Sequence, residues 1–360
     1  HMSKNKNDFI PEWYHQQAPK GSYRELFKWG DPNDFKAPSK QLYELCKKVF
    51  NMTDDDFQER QEMGLEQVDF EAPVNLSDDI IKKLETICGK EDVKTDCYNR
   101  LRVAYGKTMI DLMRLRKKIV ENLPDVVVYP ETEDEIVKIV ELCNKEKIPL
   151  YVYGGGSSVT RGVEPIKNGI SMDLGQKYNN IIAFSETDHT VTVQPGIFGP
   201  AFEKILNNAP ETLKKFGATK RYTCGHFPQS FEYSTVGGWV VTRGAGQNST
   251  YYGKIEDIVF SQRYVTPVGI VETEKTPRCS TGPSMNQIMM GSEGCFGVLT
   301  QVTLKVFEFF PENRVRWGFL FKDWPSAVDS AREIIQSQCG HPSIFRFSDK
   351  KPSIFSTAFS

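Results

Sequence analysis

The sequence predicts an α+β fold in which two α/β units follow a helical N-terminal extension, and three observations carry that reading. A proline-bounded apolar strand, a capped amphipathic helix and a second strand follow one another between residues 124 and 153. That second strand runs straight into Gly154, Gly155 and Gly156. Further on, residues 298–306 alternate with a period of two, Val298, Thr300, Val302, Leu304 and Val306 against Leu299, Gln301, Thr303 and Lys305, which is the pattern of a sheet strand.

The elements can be justified in chain order. His1 and Met2 read as a cloning remnant, and the chain to about residue 73 is polar and irregular, with short helical patterns. Ser39 can cap a helix that sets Leu42, Leu45, Cys46 and Val49 on one face, and Ser77 with Asp78 and Asp79 starts another, striped by Ile80, Leu84 and Ile87. Residues 100–118 are basic and amphipathic. Val126, Val127 and Val128, between Pro124 and Pro130, form a short buried strand. Thr132 and Glu135 make a capping box for a helix carrying Ile136, Ile139, Val140 and Cys143, and Pro149 introduces the strand that ends in the glycines.

A second unit opens at 169–174, passes through a hinge-like stretch at 178–189, and continues as the alternating strand 190–194, which Pro195 and Gly196 end. Pro200 suits the first turn of a helix over 201–207, and 255–271 is β-branched with a turn at Pro267, Val268 and Gly269. The second sheet is expected to be mixed or antiparallel. Beyond Pro311, strands at 315–321 and 343–347 flank a helix at 325–338, the opening of a further domain that the remaining residues do not complete. The expected divisions are 1–118 for the extension, 119–308 for the central domain (119–175 and 176–308) and 309–360 for the start of the last.

Composition excludes several classes. With 45 Lys and Arg against 47 Asp and Glu, the formal charge of −2 leaves no electrostatic footprint for nucleic acid, and 360 residues can bury a large core. The eight cysteines are scattered without a Cys-x-x-Cys pair, which favours reduced thiols in a reducing compartment over zinc or disulfides. The histidines share no ligand spacing, so no metal is expected. No apolar run approaches the roughly 18 residues of a membrane helix, although peripheral lipid contact stays open. The lysines and arginine at 214, 215, 220 and 221 read as a solvated face.

The glycine triplet carries the chemistry. Glycines allow positive φ, so successive N–H groups can converge on an anion, and Ser157 and Ser158 add small hydroxyl donors. A P-loop would need a Lys after its last glycine, and a dinucleotide fingerprint would open a helix, whereas this loop continues into Arg161, Gly162 and Pro165. A diphosphate-bearing dinucleotide is one reading; a tight surface turn is the other.

Other segments then bear on that choice: 124–130, the glycine loop, 225–239, Thr242 with Arg243, 252–257, 280–283 and 291–298. In this order they resemble the FAD-binding PCMH or vanillyl-alcohol oxidase family, within it the alkylglycerone-phosphate (alkyl-dihydroxyacetonephosphate) synthases and prokaryotic FAD-linked oxidase relatives, from about Trp29 to the C-terminus. The resemblance implies a PCMH-type FAD-binding domain of two subdomains, followed by a substrate (cap) domain. It places the diphosphate on Val152, Tyr153, Gly154, Gly155, Gly156, Ser157 and Ser158, with Pro195 and Gly196 nearby. Gln229, Ser230, Phe231, Glu232, Tyr233, Ser234 and Thr235, with Gly237, Gly238, Thr242, Arg243, Gly244 and Ala245, would wrap the flavin and its phosphates. Glu293, Gly294, Gly297, Val298 and Leu299 would hold the adenosine side. Ser234 and Thr235 would donate to the ligand, Arg243 would either offset its charge or form a salt bridge, and His226 is either a polar wall or a packed, hydrogen-bonded histidine.

The family chemistry exchanges the acyl chain of acyl-dihydroxyacetone phosphate for a fatty alcohol, through a flavin N5 adduct, with FAD held non-covalently. No catalytic residue follows from the resemblance, because acid/base groups come largely from the substrate domain, and the chain could be an inactive fragment. A FAD-dependent 2-hydroxy acid dehydrogenase or oxidase and a non-catalytic FAD-binding scaffold remain alternatives. A lipid-like or hydroxy-acid substrate, a homodimer, and cytoplasmic or, in a eukaryote, peroxisomal residence complete the expectation; residues 358–360 show no peroxisomal tripeptide.

Overall fold

Parallel pairing around one buried strand organises the first half of the fold. The computed structural model describes residues 10–11, 16–27, 39–59, 62–276 and 280–349, so the expectations for residues 1–2 and 358–360 lie outside it. Strands β1 (Val93–Lys94), β2 (Val126–Val128), β3 (Leu150–Tyr153) and β4 (Ile170–Asp173) form a sheet in the order β1-β2-β4-β3. Strands β2, β3 and β4 run parallel, with Val126 opposite Ile170 and Tyr153 opposite Asp173, while β1 is antiparallel at the edge. All four residues of β4 and all three of β2 are buried, as near-continuous apolar runs in a parallel sheet require.

The extension is not wholly helical. It contains α1 (Tyr23–Phe27), α2 (Lys40–Phe50), α3 (Asp54–Gln58), α4 (Asp78–Cys88), α5 (Cys97–Arg102) and α6 (Met109–Arg116). Ser39 and Ser77 cap α2 and α4 as expected, but β1 joins the sheet and α4 packs Ile80 and Leu84 into its core. The basic stretch 100–118 is broken into α5 and α6, because the chain at Gly106 and Lys107 is pinned to the glycine loop: Lys107 N–H donates to Ser158 O at 2.7 Å. Arg100, 2% exposed, donates to the carbonyls of Pro124, Ala72 and Pro73 and ties the extension to the start of β2.

Helix α7 (Glu133–Glu146) forms for local reasons. Thr132 Oγ1 accepts from Glu135 N–H, Glu135 returns the bond, and three acids stand in the first turn, where the helix dipole favours them. Lys147 closes it in the left-handed region, at φ 58°. Ile136, Ile139, Val140 and Cys143 then point onto the first sheet. The same helix joins the two halves: Glu133 accepts from Arg263 and from Thr300 Oγ1.

The second sheet is purely antiparallel, in the order β5-β6-β10-β8-β9: β5 (Ile181–Ser185), β6 (Thr190–Val193), β8 (Val259–Thr266), β9 (Gly269–Glu272) and β10 (Val298–Lys305). The stretch read as a hinge contains β5, paired to β6 with a bulge after Ile181. Helices α8 (Gly199–Asn207), α9 (Ala209–Thr212), α10 (Val236–Val241), α11 (Ser249–Tyr252), α12 (Ile255–Ile258) and α13 (Met285–Met289) accompany this sheet, and Phe202, Leu206, Trp239, Ile255, Leu299 and Val302 share one buried core. Short strands β7 (Tyr222–Thr223) and β11 (Phe307–Glu308) pair beside it.

Beyond residue 311 only the helix expectation is met, as α14 (Trp324–Gln336). Residues 315–321 and 343–347 form no strand, and Val315, Trp317 and Phe319 are exposed. A helix satisfies its own backbone, but a strand needs a neighbour, and none lies alongside among the described residues. No described helix is long and apolar enough to cross a membrane.

Ile139, fully buried between α7 and the first sheet, tests the core: Ile139→Ala should lower unfolding free energy by about 2–5 kcal/mol in urea titration, with the cofactor cleft intact.

Candidate cofactor-binding cleft

Three separate stretches of sequence meet at the end of β3. The glycine loop, 154–158, turns there; segment 229–245 lies against it, and segment 291–298 closes in from α13. The contacts are close. A Cβ on Gly154 would stand 2.5 Å from Thr235 Oγ1, and one on Gly155 would clash with Tyr233 O. Gly294 approaches Val152, and a Cβ on Gly162 would stand 2.7 Å from Glu293 Oε2. Segment 291–298 is held to 229–245 by Gly291 N–H to Val240 O and Glu293 N–H to Val241 O.

Within the triplet the missing side chains leave room for neighbouring protein groups: Gly154 for the Thr235 side chain, Gly155 for the Tyr233 carbonyl, and Gly156, the one of the three with positive φ, at 65°, for the Tyr153 ring. The loop is nevertheless shaped for an anion. The N–H groups of Gly155, Gly156, Ser157 and Ser158 donate to no protein acceptor among the described residues, while the loop is half-buried. Unsatisfied amides in such a place need an acceptor, and diphosphate oxygens fit them.

What holds the loop is a cluster that the sequence reading missed. Arg102, from α5, pairs with Asp173 at the end of β4 at 2.5 Å and lies between the rings of Tyr129 and Tyr153, 5.9 and 5.8 Å from their centroids. Tyr153 Oη donates to Arg102 O, and Asp173 also accepts from Gly175 N–H. Burial pushes the Asp173 carboxyl up, and Arg102 opposes it. The only signal in the sequence was a lone carboxylate ending the buried strand at 170–173. Lys107, whose ammonium burial lowers to about 8, donates to Leu26 O at 2.5 Å behind the loop.

Other expected site residues also serve the fold. Ser234 Oγ accepts from Trp239 Nε1, and Thr235 Oγ1 caps α10 by accepting from Gly238 N–H, and each hydroxyl keeps its O–H to donate. Arg243 is a salt-bridge residue: it pairs with Glu256 at 2.9 Å and donates to Gln287 O and Met290 O. Val298 and Leu299 are core residues of the two halves. Gly196 packs under Leu174 O, Gly237 against Pro195, and Gly297 beside Val265 O, which are close backbone approaches. Gln229, Glu232, Thr242 and Ala245 are exposed, and Ser230 and Phe231 half-buried, along the edge of the cleft.

Of the expectations for His226 the packing is observed, while the hydrogen bond, among the described residues, is not. His226 is fully buried and packed on Trp239, 5.1 Å between centroids, yet neither ring nitrogen has a hydrogen-bond partner among the described residues. Burial alone lowers it to about 4, so the ring is neutral. An orphaned donor this deep, in the segment that forms the cleft wall, leaves a polar contact for a cofactor to complete. Elsewhere, a groove of 560 Å³ crosses the polar face of the second sheet, past Thr190, Thr192 and Thr303, and includes none of the loop residues.

Comparison with known proteins gives the family. Residues 124–274 match the FAD binding domain family. The alkyldihydroxyacetonephosphate synthase of Caenorhabditis elegans is 36% identical over 299 residues, covering 82% of this chain and 47% of that protein. A mitochondrial D-lactate dehydrogenase [cytochrome] of Arabidopsis thaliana is 32% identical over 240 residues, 66% of this chain and 38% of that one. A solved alkyldihydroxyacetonephosphate synthase superposes with a TM-score of 0.70 at 30% identity, over 81% of this chain and 51% of the other. The chain spans about half the length of the synthase relatives it matches.

Two outcomes follow from the cleft. Gly155→Ala, forced against Tyr233 O, should displace the loop and cut flavin retention at least tenfold, read by visible absorbance after gel filtration with FAD, while the far-ultraviolet spectrum holds. His226 binds its proton more weakly folded than unfolded, so its stability contribution is full above the ordinary 6.5 and is lost as pH falls toward about 4. That loss, on the order of 3 kcal/mol, should appear in wild-type denaturation between those pH values and be missing from His226→Gln.

Proposed function

Because this chain belongs to the FAD-binding family with a PCMH-type domain, we propose that it serves alkylglycerone-phosphate synthesis, the exchange of an acyl group on acyl-dihydroxyacetone phosphate for a fatty alcohol. The observation that carries the reading is reach: similarity to the synthases extends over 82% of the chain, far past the 151 residues from 124 to 274, against 66% for the dehydrogenase. The reaction replaces the ester oxygen substituent by the alcohol, giving an ether and a free fatty acid, with no net redox. FAD bound in the cleft would supply a nucleophilic ring nitrogen able to hold the substrate carbon during that exchange.

The chain's own part is binding and positioning. The amides of Gly155, Gly156, Ser157 and Ser158 would hold the diphosphate, Arg102 and Asp173 keep that bend in place, and His226 would offer a ring nitrogen to the flavin side of the cleft. No catalytic acid or base is assigned within this chain. Non-covalent FAD, a homodimer, a central domain at 119–308 and cytoplasmic or, in a eukaryote, peroxisomal residence belong to the same proposal. Similarity to D-lactate dehydrogenases supports a second reading, oxidation of a 2-hydroxy acid.

The test supplies the FAD-loaded protein with acyl-dihydroxyacetone phosphate and a fatty alcohol, and separately with D-2-hydroxy acids and a dye acceptor. Ether lipid and free acid without dye reduction is the expected result. Dye reduction by a hydroxy acid selects the dehydrogenase, and FAD binding with neither product leaves a scaffold.

A further inference from the structure

We propose that Lys107, standing behind the glycine loop, is an electrostatic anchor for the cofactor's diphosphate: its ammonium has no anionic partner among the described residues and takes the bound anion as its counter-charge. This rests on the reading of the cleft as a FAD site. The backbone places the residue. Lys107 N–H donates to Ser158 O at 2.7 Å, and Gly106 packs so closely on that carbonyl that a Cβ would stand 2.3 Å from it. Lys107 is thus fastened to the last residue of a loop whose four amides find no protein acceptor among the described residues. Its half-buried side chain reaches Leu26, buried on α1, where the ammonium donates to the Leu26 carbonyl at 2.5 Å. A carbonyl is a neutral acceptor, whereas an ammonium carries three donors and a full charge.

The carboxylates on the elements beside it are engaged elsewhere. Glu25 of α1 accepts from Gly21 N–H and Tyr98 Oη, Asp111 of α6 faces Arg114 at 3.8 Å, and Glu164 beyond the loop is taken by Arg161. Tyr23 of α1 lies under Lys118, and Arg24 is a second cation. Burial alone lowers the Lys107 ammonium to about 8, with no neighbouring charge acting on it. A charge removed from water is costly until it is paired, and amides at a half-buried bend need an acceptor. A doubly charged diphosphate on those amides meets both requirements. Little water separates the two charges, so the attraction acts beyond hydrogen-bond range. Its sign is definite. An anion near the ammonium raises its pKa, and by linkage the anion is held less tightly once the ammonium has lost its proton. FAD affinity is therefore full below about pH 8, falls as pH rises through that value, and levels off above the pKa of the loaded protein.

The experiment measures FAD dissociation constants on flavin-stripped protein, by quenching of flavin fluorescence, from about pH 7 to about pH 9.5. Wild type is compared with Lys107→Gln, which keeps a donor for the Leu26 carbonyl, and with Lys107→Arg, whose charge does not titrate in this range. Wild type should weaken about tenfold across the range. Lys107→Gln should bind at the lower pH as weakly as wild type does at the upper, and stay flat; Lys107→Arg should bind tightly throughout. By NMR of protein labelled at lysine Cε, the signal missing from Lys107→Gln should titrate at higher pH with FAD bound than without it. Equal binding by wild type and Lys107→Gln would overturn the proposal, as would an unchanged lysine titration on loading. So would a weakened Lys107→Gln that keeps the wild-type pH dependence, which would make Lys107 only a tie between α1 and the loop. FAD binding at no pH would remove the cofactor reading from the cleft, and this proposal with it.

Discussion

Everything at the cleft depends on leaving a few backbone amides unpaired at the end of β3. Among the described residues the N–H groups of Gly155, Gly156, Ser157 and Ser158 find no protein acceptor, and the bend persists because its surroundings hold it. The holding comes from behind. Tyr153 packs on Arg102, Arg102 pairs with Asp173, and Lys107 N–H fastens Ser158 O. An ion pair buried this deeply gains little net stability, because desolvation offsets most of its attraction, but removing one partner strands a charge. Its value is positional: it locks β4, α5 and the loop root in one arrangement.

That arrangement explains why the N-terminal extension is part of the cofactor unit. β1 extends the parallel sheet, α4 covers it, and Arg100 satisfies three carbonyls where β2 begins. The second half is fastened by Glu133, which stands in the first turn of α7 yet receives Arg263 and Thr300 from the antiparallel sheet. One helix thus positions the glycine loop and the segments facing it together. The chemistry proposed for the cleft needs that rigidity, since a nucleophilic ring can hold substrate only if its phosphates are held first.

Much of this was legible from local pattern. The capping box at Thr132 and Glu135, the buried run at 126–128 and the period of two at 298–305 each report an interaction within a few residues, and each stands in the structure as read. The sharp bend at the end of β3 was legible too, since glycines ending a strand announce it. What local pattern could not show is which groups the fold engages: Arg243, open to a ligand's charge or a salt bridge, pairs with Glu256, and Ser234 and Thr235 accept from Trp239 and Gly238 while keeping an O–H to donate. Strands at 315–321 were misread because alternation states which face is apolar and says nothing of a neighbour.

The sequence by itself determined the capped helices, the central strands such as 126–128 and 298–305, and the bend at the glycines, because caps, periodicity and glycine are short-range physics. Only the tertiary structure decided which groups remain available. Arg102 and Asp173, 71 residues apart, meet because α5 packs on β2 and β2 pairs with β4, and His226 has no hydrogen-bond partner among the described residues where Trp239 and Gly244 lie against it. Availability is a property of the packed whole: a hydrogen-bonding group is free for a ligand only after every neighbour the fold brings has been counted.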